Sequence, residues 1–323
     1  MKKALIFLSV CAVVLFSQAI AEDYDGGYTG EFLEVGLSAR AVGMGQAQYA
    51  VSDDATGMFY NPAGTAYIKE RGVGFSYRVM DLDRKMSYAS VNFPVRGEAT
   101  LSVGWIYKGV GDVIERDRLG EPGDELKACE NVLSVSFSRI FSKYISIGAT
   151  AKYHIAELAN VNSTTAGFDI GALFRLDKSE ETLPDESFFD LLRFGALVGN
   201  LGASHIWTTG DYWQKWGEAG DSQTDDFPVL IGGGVSALVM DSTLLVAVDV
   251  RKYQWKSLRI QAGGEYALGE ILKLRAGLDD FHPTFGGGIE KKFENYTLKI
   301  DYGFSSPRDE EKSDHIFTVG FIF

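Results

Sequence analysis

From about position 71 to the last residue, apolar and polar side chains alternate along the chain with a period of two. Leu133, Val135 and Phe137 are interleaved with Ser134, Ser136 and Ser138. Ile145, Ile147, Ala149, Ala151 and Tyr153 are interleaved with Ser146, Gly148, Thr150, Lys152 and His154. Leu272, Leu274, Ala276 and Leu278 alternate with Lys273, Arg275, Gly277 and Asp279, and Tyr296, Leu298, Ile300, Tyr302 and Phe304 with Thr297, Lys299, Asp301 and Gly303. Only a strand sends successive side chains to opposite faces, so each run predicts one. The segments fall near 71–79, 84–93, 97–108, 131–139, 144–155, 164–176, 188–200, 227–239, 243–253, 257–268, 271–279, 284–292, 296–304 and 314–323. That is an even set of fourteen, as a closed single-chain bacterial barrel requires.

The end of the chain sharpens this reading. His315 to Phe323 places Phe317, Val319, Phe321 and Phe323 on one face, with Thr318 and Gly320 on the other beside Ile316 and Ile322. Alternation that runs to a terminal aromatic suits a closing strand whose outer face meets lipid. On a lipid face at mid-bilayer, Lys273, Arg275 and Lys299 would each cost about 2–4 kcal/mol, and Asp301 somewhat less, so these four are expected to face inward or lie near a rim. The connections are lopsided. Five of the six even-numbered ones are tight: 94–96, 140–143, 240–242, 269–270 and 293–295. The odd-numbered set holds the two longest, 109–130 and 201–226. The misfit is 177–187, about eleven residues on the otherwise tight side. A transmembrane barrel predicts such asymmetry, and a soluble sandwich has no reason to show it.

The N-terminus reads as an export signal over 1–21. Lys2 and Lys3 precede an apolar run from Ala4 to Phe16, and Ala19-Ile20-Ala21 forms the cleavage site. Cys11 lies within that run, so the mature chain keeps only Cys129, too few thiols for an internal disulfide or a zinc cluster. The whole chain carries −13; without residues 1–21 it holds 29 basic and 44 acidic side chains, or −15. Such a balance excludes a nucleic-acid binder, which needs a basic footprint.

Residues 22–70 stand ahead of the barrel of 71–323 and do not alternate. Asp53 or Asp54 is placed to N-cap a short helix through Tyr60, and Asn61-Pro62 to stop it. A small-residue segment without strand character, followed by fourteen strands, is expected to enter the barrel as a hatch. The candidate wall contacts are Arg40, Asp53, Asp54 and Asn61, and Gly43, Gly45 and Pro62 belong to the same set.

The block from Gly36 to Ala66 contains Ala-Arg-Ala-x-Gly-Met-Gly, Asp-Asp-Ala and Asn-Pro-Ala-Gly in that order. It resembles the N-terminal signature of the PorV/PorQ family, itself similar to FadL-type outer-membrane transporters, which also carry an Asn-Pro-Ala hatch. Further matches are Phe227-Pro228, Gly263-Gly264-Glu265-Tyr266, Leu274-Arg275-Ala276-Gly277 and Ile300-Asp301-Tyr302. The resemblance implies a fourteen-stranded barrel with an internal hatch in the bacterial outer membrane. It also implies one of two roles, of which the first is the expected one and the second the alternative. A PorV-type barrel carries exported cargo proteins to a cell-surface complex in type IX secretion. A FadL-type barrel passes long-chain hydrophobic molecules through a lateral opening.

Other patterns carry less. Gly43-Met44-Gly45-Gln46 lacks the preceding strand and following long helix of a dinucleotide site. His154, His205, His282 and His315 are far apart and unpaired with cysteine, so no metal, cofactor or catalytic chemistry is expected. Gly232-Gly233-Gly234 and Gly286-Gly287-Gly288 read as curvature or close packing against the hatch, or else as a kinked lateral gate. Trp207, Tyr212, Trp213 and Trp216 cluster in the longest connection. They read equally as a surface for cargo or secretion-complex subunits and as a membrane-interface belt.

Overall fold

The computed structural model describes residues 29–323 except 97, 112, 117, 118, 160, 211–219 and 308–312. The export signal, with Cys11, and Tyr212, Trp213 and Trp216 lie outside the described residues. The strands are β1 (Gly72–Val79), β2 (Arg84–Val95), β3 (Ala99–Val110), β4 (Val113–Arg116), β5 (Pro122–Leu126), β6 (Ala128–Ser142), β7 (Ile145–Leu158), β8 (Val161–Asp177) and β9 (Phe189–Leu201). They continue as β10 (Ser204–Thr208), β11 (Ser222–Asp226), β12 (Leu230–Val239), β13 (Leu244–Tyr253), β14 (Leu258–Leu268), β15 (Leu272–Asp279), β16 (His282–Lys292), β17 (Thr297–Ser305) and β18 (Asp314–Ile322).

Fourteen of these form one closed antiparallel barrel in the order β1-β2-β3-β6-β7-β8-β9-β12-β13-β14-β15-β16-β17-β18. The seam is β18 against β1, from Gly72 opposite Ile322 to Val79 opposite His315. Closure leaves no edge, so every strand has two partners for its backbone groups, the condition for standing in lipid. The remaining four strands make two hairpins, β4–β5 and β10–β11, inside the two longest connections. The sequence reading did not anticipate them. Both hairpins lie at one end, the hairpin side; the opposite end is the turn side. The 178–188 connection on the turn side is held as an ordered turn, with Asp177 Oδ1 accepting from Ser179 N at 2.8 Å and Asp177 O from Thr182 N at 3.0 Å.

The burial pattern is inverted relative to a water-soluble protein. On β6, Leu133, Val135 and Phe137 are half exposed (49–52%) while Ser134, Ser136 and Ser138 are buried. On β1, Phe75, Tyr77 and Val79 face out while Ser76 and Arg78 face in. A greasy outer face and a polar inner face are stable only where the surroundings are lipid. Arg275 is buried and faces inward, and Asp301 is paired with it, as the cost of a lipid-facing charge requires.

Inside the barrel runs the segment before β1. It consists of a 3-10 turn (Glu31–Glu34), helix α1 (Ala39–Gly43), helix α2 (Gly57–Tyr60) and a second 3-10 turn (Pro62–Tyr67). Ser38 caps α1, accepting from Ala41 N at 3.2 Å. The helix expected from Asp53 or Asp54 starts later, at Gly57. Asp54 is not its cap: its Oδ1 accepts from Thr56 N at 2.8 Å, closing a turn one step earlier. Asn61 ends α2 in extended backbone, and its side chain caps the next turn by accepting from Ala63 N at 3.1 Å.

Candidate functional site: the barrel lumen

The segment crosses the lumen lengthwise. Near the hairpin side, the Glu34 carboxylate pairs with Lys256 and Arg259, each at 3.1 Å. At the turn side, Arg71 O accepts from Phe323 N at 2.8 Å as the chain enters β1.

Between these ends an alternating chain of charges links four strands of the wall. Asp301 on β17 binds Arg275 on β15 at 2.6 Å, and Arg275 binds Glu265 on β14 at 2.6 Å. Glu265 receives Arg40 Nε of α1 at 3.1 Å, and Arg40 Nη1 reaches Asp53 at 2.7 Å and Asp54 at 3.2 Å. Asp53 in turn binds Arg193 of β9 at 2.8 Å. Arg193 Nε donates to Ser236 Oγ at 3.0 Å, and Ser236 Oγ donates to Ala50 O at 3.0 Å. Each charge has an opposite neighbour, which is what allows them to be buried together. Burial works against the charge on Arg40, but Glu265, Asp53 and Asp54 outweigh it and keep the guanidinium firmly protonated. Burial also pushes the Asp53 carboxyl up, and Arg40 and Arg193 more than reverse that, holding it well below the usual carboxylate range. The Tyr60 phenol, opposed only in part by the Leu37 N–H that donates to it at 2.7 Å, is pushed by burial up to about 12.

The segment's backbone lies so close to the wall that the facing positions are glycines. At Gly195 of β9 a Cβ would overlap the carbonyl oxygen of Tyr49, and at Gly277 of β15 it would overlap the amide nitrogen of Gly45. Gly232 faces the Tyr49 ring and Gly286 faces Gly43 Cα, so both glycine runs pack against the segment. Tyr49 N donates to Asp249 on β13 at 2.7 Å. Asn61 is fully buried, and its Nδ2 donates to Tyr49 O at 2.6 Å and to Ala172 O of β8 at 3.2 Å.

Of the residues singled out in the sequence, Arg40, Asp53 and Asn61 bond to the wall directly, whereas Asp54 bonds within the segment. Gly43 and Gly45 abut β16 and β15, and Pro62 abuts Gly148 of β7. Trp207 sits on β10 with its ring 5.2 Å from that of the buried His205, so it packs inward against the lumen mouth. Sequence reasoning missed Arg193, Asp249 and Glu34 as partners. Glu265, Arg275 and Asp301 had a signal: each stood in a motif shared with the resembled family, and the three are joined in one chain that reaches Arg40 through Glu265.

Next to the ionic chain lies the largest apolar cluster among the described residues of the lumen. Phe32, Leu33, Leu37, Phe59 and Tyr60 of the segment pack with Met86 and Tyr88 of β2, Ile106 of β3, Val132 of β6 and Phe227. Lys108 stands 5.4 Å from the Phe32 ring and Lys152 stands 4.9 Å from the Phe59 ring. Each ammonium also has a carboxylate partner, Glu130 at 3.2 Å and Asp169 at 2.5 Å.

No protein-family model and no curated protein sequence matches the chain. Solved structures do. The chain is similar to the Pseudomonas putida toluene transporter TodX, at 12% identity over 89% of this chain and 98% of that one, with a TM-score of 0.60. This chain has the FadL-like fold. A Pseudomonas aeruginosa FadL homologue aligns at 11% identity over 88% of this chain and 98% of its own, TM-score 0.60. The monoaromatic hydrocarbon channel CymD aligns at 15% over 89% and 97%, TM-score 0.57. At such low identity the likeness establishes the FadL-like architecture and leaves the cargo to be argued from the lumen itself.

Proposed function

We propose that this protein is a bacterial outer-membrane conduit for hydrophobic small molecules, with residues 31–67 acting as its hatch. The observation that carries the reading is the aromatic-rich apolar cluster of Phe32, Phe59, Tyr60, Met86, Tyr88, Ile106 and Val132 inside the lumen, larger than the three aliphatic clusters that the segment makes with the wall elsewhere. A purely structural barrel has no need of aromatic surface in its interior, and a water-filled porin would be obstructed by it. Side chains from the segment and from the wall share the cluster, so any displacement of the segment uncovers a greasy surface reachable from the hairpin side. The named structural neighbours, a toluene transporter and hydrocarbon channels, fit the same reading. The reading needs no cofactor or metal, and lipid is the barrel's surroundings.

The test is extraction of the purified barrel, isolated in mild detergent, followed by mass spectrometry of what leaves it. A stoichiometric hydrophobic molecule is expected. An empty extract together with a stoichiometric secreted protein would refute the conduit.

That second outcome belongs to the PorV-like cargo carrier, which rests on the Gly36–Ala66 signature. Its partners would be exported proteins and secretion-complex subunits. Pull-down from intact outer membranes distinguishes the two.

A further inference from the structure

The segment is held very differently on the two sides of the lumen. Toward β9, β14, β15 and β17 it is fastened by the ionic chain through Arg40 and Asp53. Toward β2, β3 and β6 it meets neutral hydroxyls and one cation over a ring: Ser90 Oγ donates to Ala55 O at 2.5 Å, Thr65 Oγ1 meets Ser138 Oγ at 2.8 Å, and Lys108 lies 5.4 Å from the Phe32 ring. On that second wall Asn92, Thr100, Ser102 and Ser134 are all at least 97% buried, and their side chains make no hydrogen bond among the described residues. They form one patch, because Asn92 pairs with Ser102 across β2–β3, Ser102 with Ser136 and Thr100 with Ser138 across β3–β6. Buried polar groups left without partners penalise the closed arrangement, and they are relieved once the segment moves off β2, β3 and β6, an inner seam distinct from the β1–β18 closure.

The same three strands carry the apolar cluster one step higher. Tyr88 pairs with Ile106 and Ile106 with Val132, toward the hairpin side. The row between the two tiers is Ser90, Gly104 and Ser134, and over Gly104 lies the fully buried Met58 of α2, its sulfur 3.1 Å from where a Cβ would stand. Met58 thus separates the greasy tier above from the hydroxyl-lined tier below.

We infer that the passage runs down the inner wall of β2, β3 and β6, with Met58 against Gly104 as its constriction. The inference rests on the conduit reading for what passes, but the seam itself can be tested without any solute. An amphiphile or small hydrocarbon would leave the aromatic tier when Met58 moves off Gly104 and descend along Ser134, Ser102 and Asn92. The ionic chain opposite acts as a fixed hinge side. Methionine suits the position because its unbranched thioether changes rotamer readily within a packed site.

The test is thiol labelling of the full-length protein in outer-membrane vesicles, in a Cys129→Ser background. Single cysteines at Ser102→Cys and Ser134→Cys report the seam, and Thr284→Cys, on the β16 wall beside Gly45, reports the fastened side. A small charged methanethiosulfonate is expected to react at the seam at least roughly tenfold faster than at Thr284→Cys, because local opening controls access to a buried thiol. Adding Met58→Ala should raise the seam rates severalfold and leave the Thr284→Cys rate alone. Equal rates on both walls, or seam rates indifferent to Met58→Ala, overturn the inference. A seam that labels as expected in a protein that carries no hydrophobic solute would instead refute the conduit and leave the hinge geometry standing.

Discussion

Arg40 grips Glu265 with two nitrogens, Nε at 3.1 Å and Nη2 at 3.3 Å, across 225 residues of sequence. This fork joins the helix of the lumen segment to β14, and Glu265 passes the contact on to Arg275. Arg40→Gln should leave Glu265 and Asp53 short of a cation and cost about 2 kcal/mol, the scale of losing hydrogen bonds to charged groups. Arg40→Lys keeps the charge but not the fork, so it should recover only part of the loss. Hydrogen exchange of residues 39–47 reads the effect. The wall strands should keep their protection, since their backbone pairing is unchanged.

Gly195 and Gly233 make a matched pair on neighbouring strands. A Cβ on Gly195 runs into the Tyr49 carbonyl, whereas one on Gly233 meets only Gly195 O at 3.5 Å. Gly195→Ala should destabilise by about 1–3 kcal/mol as an overpacked contact, and Gly233→Ala should be near neutral. Urea midpoints of the detergent-solubilised barrel measure both. Equal effects would mean that these glycines serve curvature and not the seating of the segment.

Asn61 gives a sharper chemical test. Its Nδ2 donates to two carbonyls, Tyr49 O and Ala172 O, in a site closed to solvent. Asn61→Ala should cost about 1–3 kcal/mol by leaving those acceptors unpaired. Asn61→Asp should cost more, because an oxygen then faces both carbonyls. Unfolding midpoints that rank the aspartate variant above the alanine one would contradict this geometry.

The pH dependence follows from two groups on the segment. Asp53 has a depressed carboxyl, so its ionised form stabilises the fold above the ordinary carboxylate value near 3.8, and that contribution drains away as pH falls further. Its side chain is 35% exposed, so solvent screening trims the effect. Tyr60 has a raised phenol, so its contribution is complete below pH 10 and is lost as pH climbs through about 12. Stability should be level between these limits and fall at both ends. Asp53→Asn should flatten the acid limb alone.

Period-two alternation made the strands legible because a barrel wall has one face in lipid and one in a polar lumen. β7 is the plainest case, from Ile145 and Ser146 to Tyr153 and His154. The hairpins β4–β5 and β10–β11 were not legible, because segments such as Pro122-Gly-Asp-Glu-Leu126 have no apolar face to repeat. Helix α1 is five residues long and ends on a glycine, too short for a 3.6-residue period to show. Asn61 and Arg40 stood out by residue type and spacing. The wall residues Asp249 and Arg193 did not, since Tyr49 and Asp249 meet across 200 residues and Asp53 and Arg193 across 140. The aromatic cluster escaped notice for a related reason: Phe32, Tyr60, Tyr88 and Phe227 come from four distant places, and only the closed barrel brings them together.

The most direct measurement is uptake by intact cells of a radiolabelled hydrophobic solute, toluene and a long-chain fatty acid in parallel, with and without this protein in the outer membrane. The account predicts faster entry of at least one of them when the wild-type barrel is present, and a further change in rate with Met58→Ala. Entry of both at the rate of cells lacking the protein, from a barrel shown to be folded by its heat-dependent gel mobility, would contradict it.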